Sequence, residues 1–295
     1  MTVHTQISSK EIKAQKSHHD SIVDLLSYIK NSPRQYIFFL YGVHGSELPG
    51  SRLVAKILAS LVAQICPESK IKLIGPVAPW SSRHGFRFDR HLSDPNRICL
   101  SSETQENPQL TAYWNLWQQM RPDSRRSILN FLREAEQQEL DLEALFQTAQ
   151  TLYPGIPGYV HPRTQQRRLF FLKKIIKCYI HDLRISNIAL IDVHTGVGLD
   201  ACSHVFYHRT TSELKSNYLV DHLAAMLQDS CHIPCVPFIT ETGVLNNLSG
   251  MIDCLSELSY RTFGFNGGGH IQMQFIDERW INETKEFLLK AFVFN

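Results

Sequence analysis

Apolar residues in this chain come in short unbroken runs, and two of these runs stop at residues able to ligate a metal. The first is Tyr-Ile-Phe-Phe-Leu-Tyr at 36–41, followed by Gly42, Val43, His44, Gly45, Ser46 and Glu47. The second is Ile-Ala-Leu-Ile at 188–191, which continues through Asp192 and Val193 to His194, Thr195 and Gly196. Runs of this kind suit strands buried on both faces, as in parallel sheet. Between them the period changes: Leu53, Val54, Ile57, Leu58, Leu61 and Val62 recur at helical spacing and predict an amphipathic helix over 51–65. Residues 71–77 read as a second strand. The order strand, helix, strand points to parallel pairing with right-handed crossovers.

The same reading extends along the chain. Ser21 to Lys30 has apolar residues at helical spacing, and Asn31-Ser-Pro-Arg breaks the pattern before the first strand. A helix is expected near 168–183. Strand-like stretches recur at 203–208, 235–240 and 270–276, with helices near 212–228, 248–258 and 281–292. The expected fold class is α/β: a single domain with a mixed, mostly parallel twisted sheet and helices on both faces. Residues 1–19 are polar and expected to be flexible. The rest, 20–295, forms the domain, with a Gln- and Glu-rich helical insertion at about 100–165.

Composition narrows the function classes. At 295 residues the chain can bury a full core, and a formal net charge of +2 gives no argument for nucleic acid or membrane binding. Seven scattered cysteines, an odd number, suit reduced thiols in a cytoplasmic protein. The first residues lack an apolar run, and no stretch approaches the roughly 18 apolar residues of a membrane span. Cys231 and Cys235 read as buried thiols, and Arg167-Arg168 with Lys173-Lys174 as the solvated face of a helix.

Chemistry enters at the strand ends. His44, Glu47 and His194 offer three ligands to one zinc ion, leaving a position for water or substrate. His-x-x-Glu alone is weak, and Glu47 would also be favoured near a helix N-terminus without any metal. What strengthens it is the context of strand, glycine, histidine and then glutamate before a helix, repeated in part at His194. In the loop at 80–98, Asn96 and Arg97 are placed to bind a substrate carboxylate. Arg87 can stabilise an oxyanion. Asp94 can accept a hydrogen bond from a ligating histidine and fix its tautomer.

These residues resemble the zinc carboxypeptidase family, in particular a bacterial branch related to the succinylglutamate desuccinylases and aspartoacylases. The resemblance lies in His44 and Glu47, then Arg87, then Asp94-Pro-Asn96-Arg97, then His194. The stretch from Pro154 to Pro162 and the run from Ile191 to Gly198 add to it, and it covers roughly residues 36–280. It implies one Zn2+ per chain and hydrolysis of an amide bond in a peptide or N-acyl amino acid bearing a free carboxylate. The partner is then a small-molecule or peptide substrate.

One departure stands out. The family carries a glutamate on a late strand that activates water, and the matching strand here places Gln274 in that position. A glutamine amide is no base at neutral pH. Glu241, in Phe-Ile-Thr-Glu-Thr-Gly, or Glu257 can take the role, as can Asp277 or Glu278. The alternative is a catalytically impaired relative that binds a carboxylate ligand or a protein partner in the same cleft.

Overall fold

Strand β1, Gln35–Tyr41, is buried along nearly its whole length because its alternate side chains feed two different cores. Ile37 and Phe39 pack with the helix α1, Leu48–Ile65, through Val54, Leu58 and Val62. Tyr36, Phe38 and Leu40 point to the opposite face. There they meet Leu169, Leu172 and Ile176 of α5, Pro162–Tyr179, and Leu223 and Leu227 of α6, Leu219–Cys231. The period of two is what separates the layers. The computed structural model describes residues 25, 27–32, 34–99, 107–142, 146, 148–181, 185–195, 203–208, 217–243, 247–264, 282 and 286.

Among the described residues the sheet has five strands, in the order β2-β1-β3-β5-β4. β2 (Lys70–Ile74), β1, β3 (Asn187–His194) and β5 (Cys235–Gly243) run parallel, and β4 (Ser203–His208) pairs antiparallel with β5. The expected α/β class with a mostly parallel sheet and helices on both faces is what the chain adopts. The expected helix near 212–228 runs instead from Leu219 to Cys231, and the one near 168–183 begins earlier, at Pro162. Proline suits that first helical turn, where no intrahelical N–H partner is lost. The strand at 270–276 and the segment 1–19 lie outside the described residues.

The Gln- and Glu-rich stretch forms α3, Pro108–Met120, and α4, Arg125–Gln137. Their Trp117, Phe131 and Leu132 join Phe88 and helix α7, Asn247–Phe263, in a third core. Asn107 caps α3 by accepting from Gln109 and Leu110, and Ser124 caps α4 in a reciprocal pair with Ser127.

One expectation needs correcting. The 21-residue run Gly45–Ile65 is long and apolar enough to cross a membrane by length and composition, with a mean hydropathy of 1.2. Its apolar stripe is instead used on the sheet, where Val54, Ala55, Leu58 and Val62 are buried against β1 and β3.

β1 connects to β2 through α1 on one face, whereas α6, between β4 and β5, covers the other. The crevice at the carboxyl ends of β1 and β3 is therefore a point where the chain departs in opposite directions, the usual ligand site of open α/β sheets. Leu58→Ala should lower the unfolding free energy by about 2–5 kcal/mol, while the exposed Arg52→Ala on the same helix should cost under about 0.5 kcal/mol. Urea titrations check both, and equal losses would contradict the assignment of α1's buried face.

Candidate metal centre

Tyr41 pairs with Val193 across β1 and β3, so the two strands end level. His194 is the last residue of β3, and His44 follows β1 by three residues. Between His44 and α1 the chain makes one 3-10 turn, Gly45–Glu47, that swings Glu47 back toward both histidines. Gly45 permits this turn by close approach: a Cβ there would lie 2.0 Å from the Ser81 carbonyl carbon. Ser81 belongs to the short helix α2, Pro79–His84.

The Glu47 carboxylate is the centre of the cluster. Its Oε1 lies 2.8 Å from His44 Nδ1 and accepts from Arg87 Nη1 at 2.9 Å. Its Oε2 lies 3.3 Å from His194 Nδ1 and accepts the Thr195 backbone N–H at 3.1 Å. Candidate ligand atoms of His44, Glu47 and His194 all lie within 4.8 Å of one another, and all three residues are buried.

Each imidazole is also held from behind. His44 Nε2 is 3.1 Å from Asp94 Oδ1, and His194 Nε2 is 2.9 Å from Asp192 Oδ2. With both Nε2 atoms turned to carboxylates, those nitrogens carry the protons, and the Nδ1 atoms face Glu47. Each close Nδ1···O contact then joins two acceptors unless a proton or a cation lies between them. A divalent cation fits this donor set of two imidazole nitrogens and one carboxylate, which matches zinc's preferences and leaves room for a further ligand.

The electrostatics follow from burial and pairing. Burial alone would raise the Glu47 carboxyl, but His44 and His194 together hold it well below the usual carboxylate range. Asp94 behaves in the same way: burial is outweighed by His44 and then by Arg97 and Arg87, and its carboxyl is lowered. Burial would lower His194, yet Asp192 and Glu47 raise it well above the ordinary histidine value.

The expected site residues come together to different extents. His44, Glu47, His194, Arg87 and Asp94 share one hydrogen-bonded cluster, and Asn96 Nδ2 sits 3.3 Å from His194 Nε2. Arg97 is buried with its guanidinium 4.4 Å from the Tyr218 ring centroid. Its Nε and Nη1 have no hydrogen-bond partner among the described residues. Glu241 is the Cα partner of His194 within β5, so it is part of the strand and does not follow it. Gln274, with Asp277 and Glu278, lies outside the described residues.

No family model matches the chain, and no curated protein matches it. Among solved structures, a crystal structure from Shewanella amazonensis SB2B, named as a candidate metallopeptidase, is similar. It shares 11% identity over 81% of this chain and 76% of that one, with a TM-score of 0.32. A likeness that weak carries no argument, and the chemistry rests on the geometry of the cluster.

Glu257 is a correction. It is fully buried on α7, and its oxygens accept the backbone N–H groups of Arg87 at 2.7 Å and Phe88 at 3.0 Å. Arg261 Nη1 donates to it at 3.1 Å, and the same guanidinium also donates to the Phe88 and Asp89 carbonyls. Committed to these donors, Glu257 tethers the Arg87 loop and does not serve as a base. Burial raises its carboxyl, opposed by the Arg87 and Phe88 N–H groups and then by Arg261. Arg168 corrects a second expectation: it is largely buried, bonded to Asp89 Oδ2 at 3.3 Å and the Pro95 carbonyl at 3.0 Å, and not part of a solvated face. The Pro-Asn-Arg stretch after Asp94 is thereby anchored from α5.

Gly45→Ala should displace the 3-10 turn and weaken Zn2+ binding by about ten-fold or more, read by calorimetric titration. Wild-type affinity in that variant would show that the turn tolerates a side chain against Ser81. Asp94→Asn should weaken Zn2+ binding by about 10–100-fold while leaving the fold intact. Unchanged affinity there would separate Asp94 from the orientation of His44.

Proposed function

We propose that this protein is a zinc-dependent hydrolase that cleaves an amide bond in a peptide or N-acyl amino acid bearing a free carboxylate. The observation that carries the reading is the two-sided hold on both histidines: Nδ1 toward Glu47, Nε2 on buried aspartates. Ordinary buried histidines rarely need a carboxylate on each nitrogen, whereas metal-ligating ones characteristically carry such a partner behind them.

His44, Glu47 and His194 would hold the ion. When bound, Zn2+ supplies Lewis acidity that polarises a carbonyl and lowers the pKa of water. The remaining work belongs to the chain. Arg87 is the cation nearest the ligand carboxylate and would donate to the oxyanion that develops on the scissile carbonyl. Asn96 and Arg97 would anchor the substrate carboxylate. The unpartnered Arg97 Nε and Nη1 support that role, since buried N–H groups without acceptors cost free energy that a bound carboxylate recovers. Glu241, level with His194 on the neighbouring strand, is our candidate for the base.

A second reading has its own support. Gln274 stands where the resembled family has its glutamate, which favours a relative that binds a carboxylate ligand or protein partner without turning it over. Elemental analysis should find about one zinc per chain in the wild type and much less in His194→Ala. A panel of N-acyl amino acids and dipeptides then separates the readings. Turnover abolished by Glu241→Gln supports the hydrolase. Absence of turnover, with a large gain in Gln274→Glu, establishes the disabled relative. A wild type that takes up no zinc would refute the hydrolase and leave the binding protein as the remaining reading.

A further inference from the structure

Helix α5 has the sequence PRTQQRRLFFLKKIIKCY, with six basic residues and no Asp or Glu. In a chain with 30 basic and 28 acidic residues such segregation is uneven. Leu169, Leu172 and Ile176 face the core, and Arg168 is held by Asp89. The opposite face presents Arg163, Arg167, Phe170, Lys174 and Lys177 at successive steps of four, three, four and three residues, so that they form one stripe. None of these four cations has an ion-pair partner among the described residues. Phe170 and Phe171 are each 62% exposed at its centre.

Beside this stripe lies a cavity of about 450 Å3. Val77, Pro79, Trp80 and Phe171 give it apolar walls, and Arg90 and Arg167 stand among its lining residues. None of His44, Glu47 and His194 lines it, so it is separate from the metal centre. The volume is in the range that takes a small molecule or a buried anchor residue.

We infer that the α5 face and this cavity form a docking site for an acidic peptide segment that carries an aromatic or large aliphatic anchor. The anchor enters the cavity against Trp80 and Phe171. The flanking carboxylates lie along Arg163, Arg167, Lys174 and Lys177. Aromatic and arginine side chains around one pocket are the composition of interface hot spots, with the rim charges setting rate and salt dependence. Asp89 also lines the cavity, which disfavours a phosphate inside it. A net charge of +2 provides no long-range field for a nucleic acid backbone. A membrane surface would need a continuous convex apolar face, and two phenylalanines beside a concavity do not make one.

The test uses the full chain and a fluorescein-labelled peptide of Glu and Asp with one central Phe, read by fluorescence anisotropy. Binding should weaken as salt rises, and weaken by about five-fold or more when the peptide's Phe is changed to Ser. Phe171→Ser and the pair Arg167→Glu with Lys174→Glu should each lose about five-fold or more. These positions are exposed, so far-UV circular dichroism and zinc content should match wild type, which keeps this result distinct from the fate of the metal centre. No peptide binding, unchanged binding in the variants, or tighter binding of an oligo-dT strand or of phosphatidylserine-rich vesicles would each overturn the inference.

Discussion

The carboxylate of Glu47 is the constraint on which the site depends. It is buried, it is held well below the usual carboxylate range by His44 and His194, and it is contacted by four groups from three separate stretches of chain: His44 after β1, Arg87, and His194 with the Thr195 N–H at the end of β3. A buried charge persists only when its hydrogen-bonding capacity is met. Meeting it requires β1 and β3 to be adjacent, parallel and level, which is the register observed. Removing any one contact leaves the others to carry a partly uncompensated charge, so the loops are coupled to one another through this group.

The surroundings extend the same logic outward. Asp94 and Asp192 add two more buried carboxylates behind the histidines, and Arg87 and Arg97 are the nearby arginines that lower Asp94. A cation between the two Nδ1 atoms and Glu47 would complete the balance of a cluster that already holds three acids. Farther out, the pairs Asp89–Arg168 and Glu257–Arg261 fix the backbone that carries Arg87 and Asn96. Their long side chains are used on carbonyls and N–H groups of the loop, so the geometry of the centre is set by buried ion pairs outside it and not by the loop's own propensity.

Much of this was legible in the sequence because it depends on local pattern. Continuous apolar runs ending at His44 and His194 announce buried parallel strands, and strand ends are where a sheet presents function. The role of Asp94 was also readable, since a carboxylate near a histidine-rich site has few other uses. Other features depend on contacts distant along the chain and leave no local signature. Glu257 reaches Arg87 across 170 positions, and its spacing on α7 reads only as an ordinary charged residue of a helix. Arg168 sits in a run of basic residues whose neighbours are exposed, and only the fold reveals that Asp89 and Pro95 draw it inward. The signal that could have been read was Asp192, two residues before His194. In a strand that spacing puts both side chains on one face, so an acid in an otherwise apolar run marks a partner for the histidine.

A strand alternates its side chains, so Asp192 and His194 share a face while Val193 packs into the core on the other. The aspartate can therefore hold Nε2 from within the same strand, and this contact on the imidazole needs no loop. On β1 the histidine lies beyond the strand end, where no strand neighbour is available, and its partner Asp94 has to be brought from a loop 50 residues away. The loop in turn needs anchors, which Tyr159 supplies by accepting the Asp94 N–H and Arg168 by holding Pro95. The two histidines are held alike, but one is oriented by the strand itself and the other by the packed surroundings of a loop. The first should survive distortion around Tyr159 and in α5, and the second should follow them, which makes the His44 side of the centre the one most sensitive to changes far from the candidate ligands.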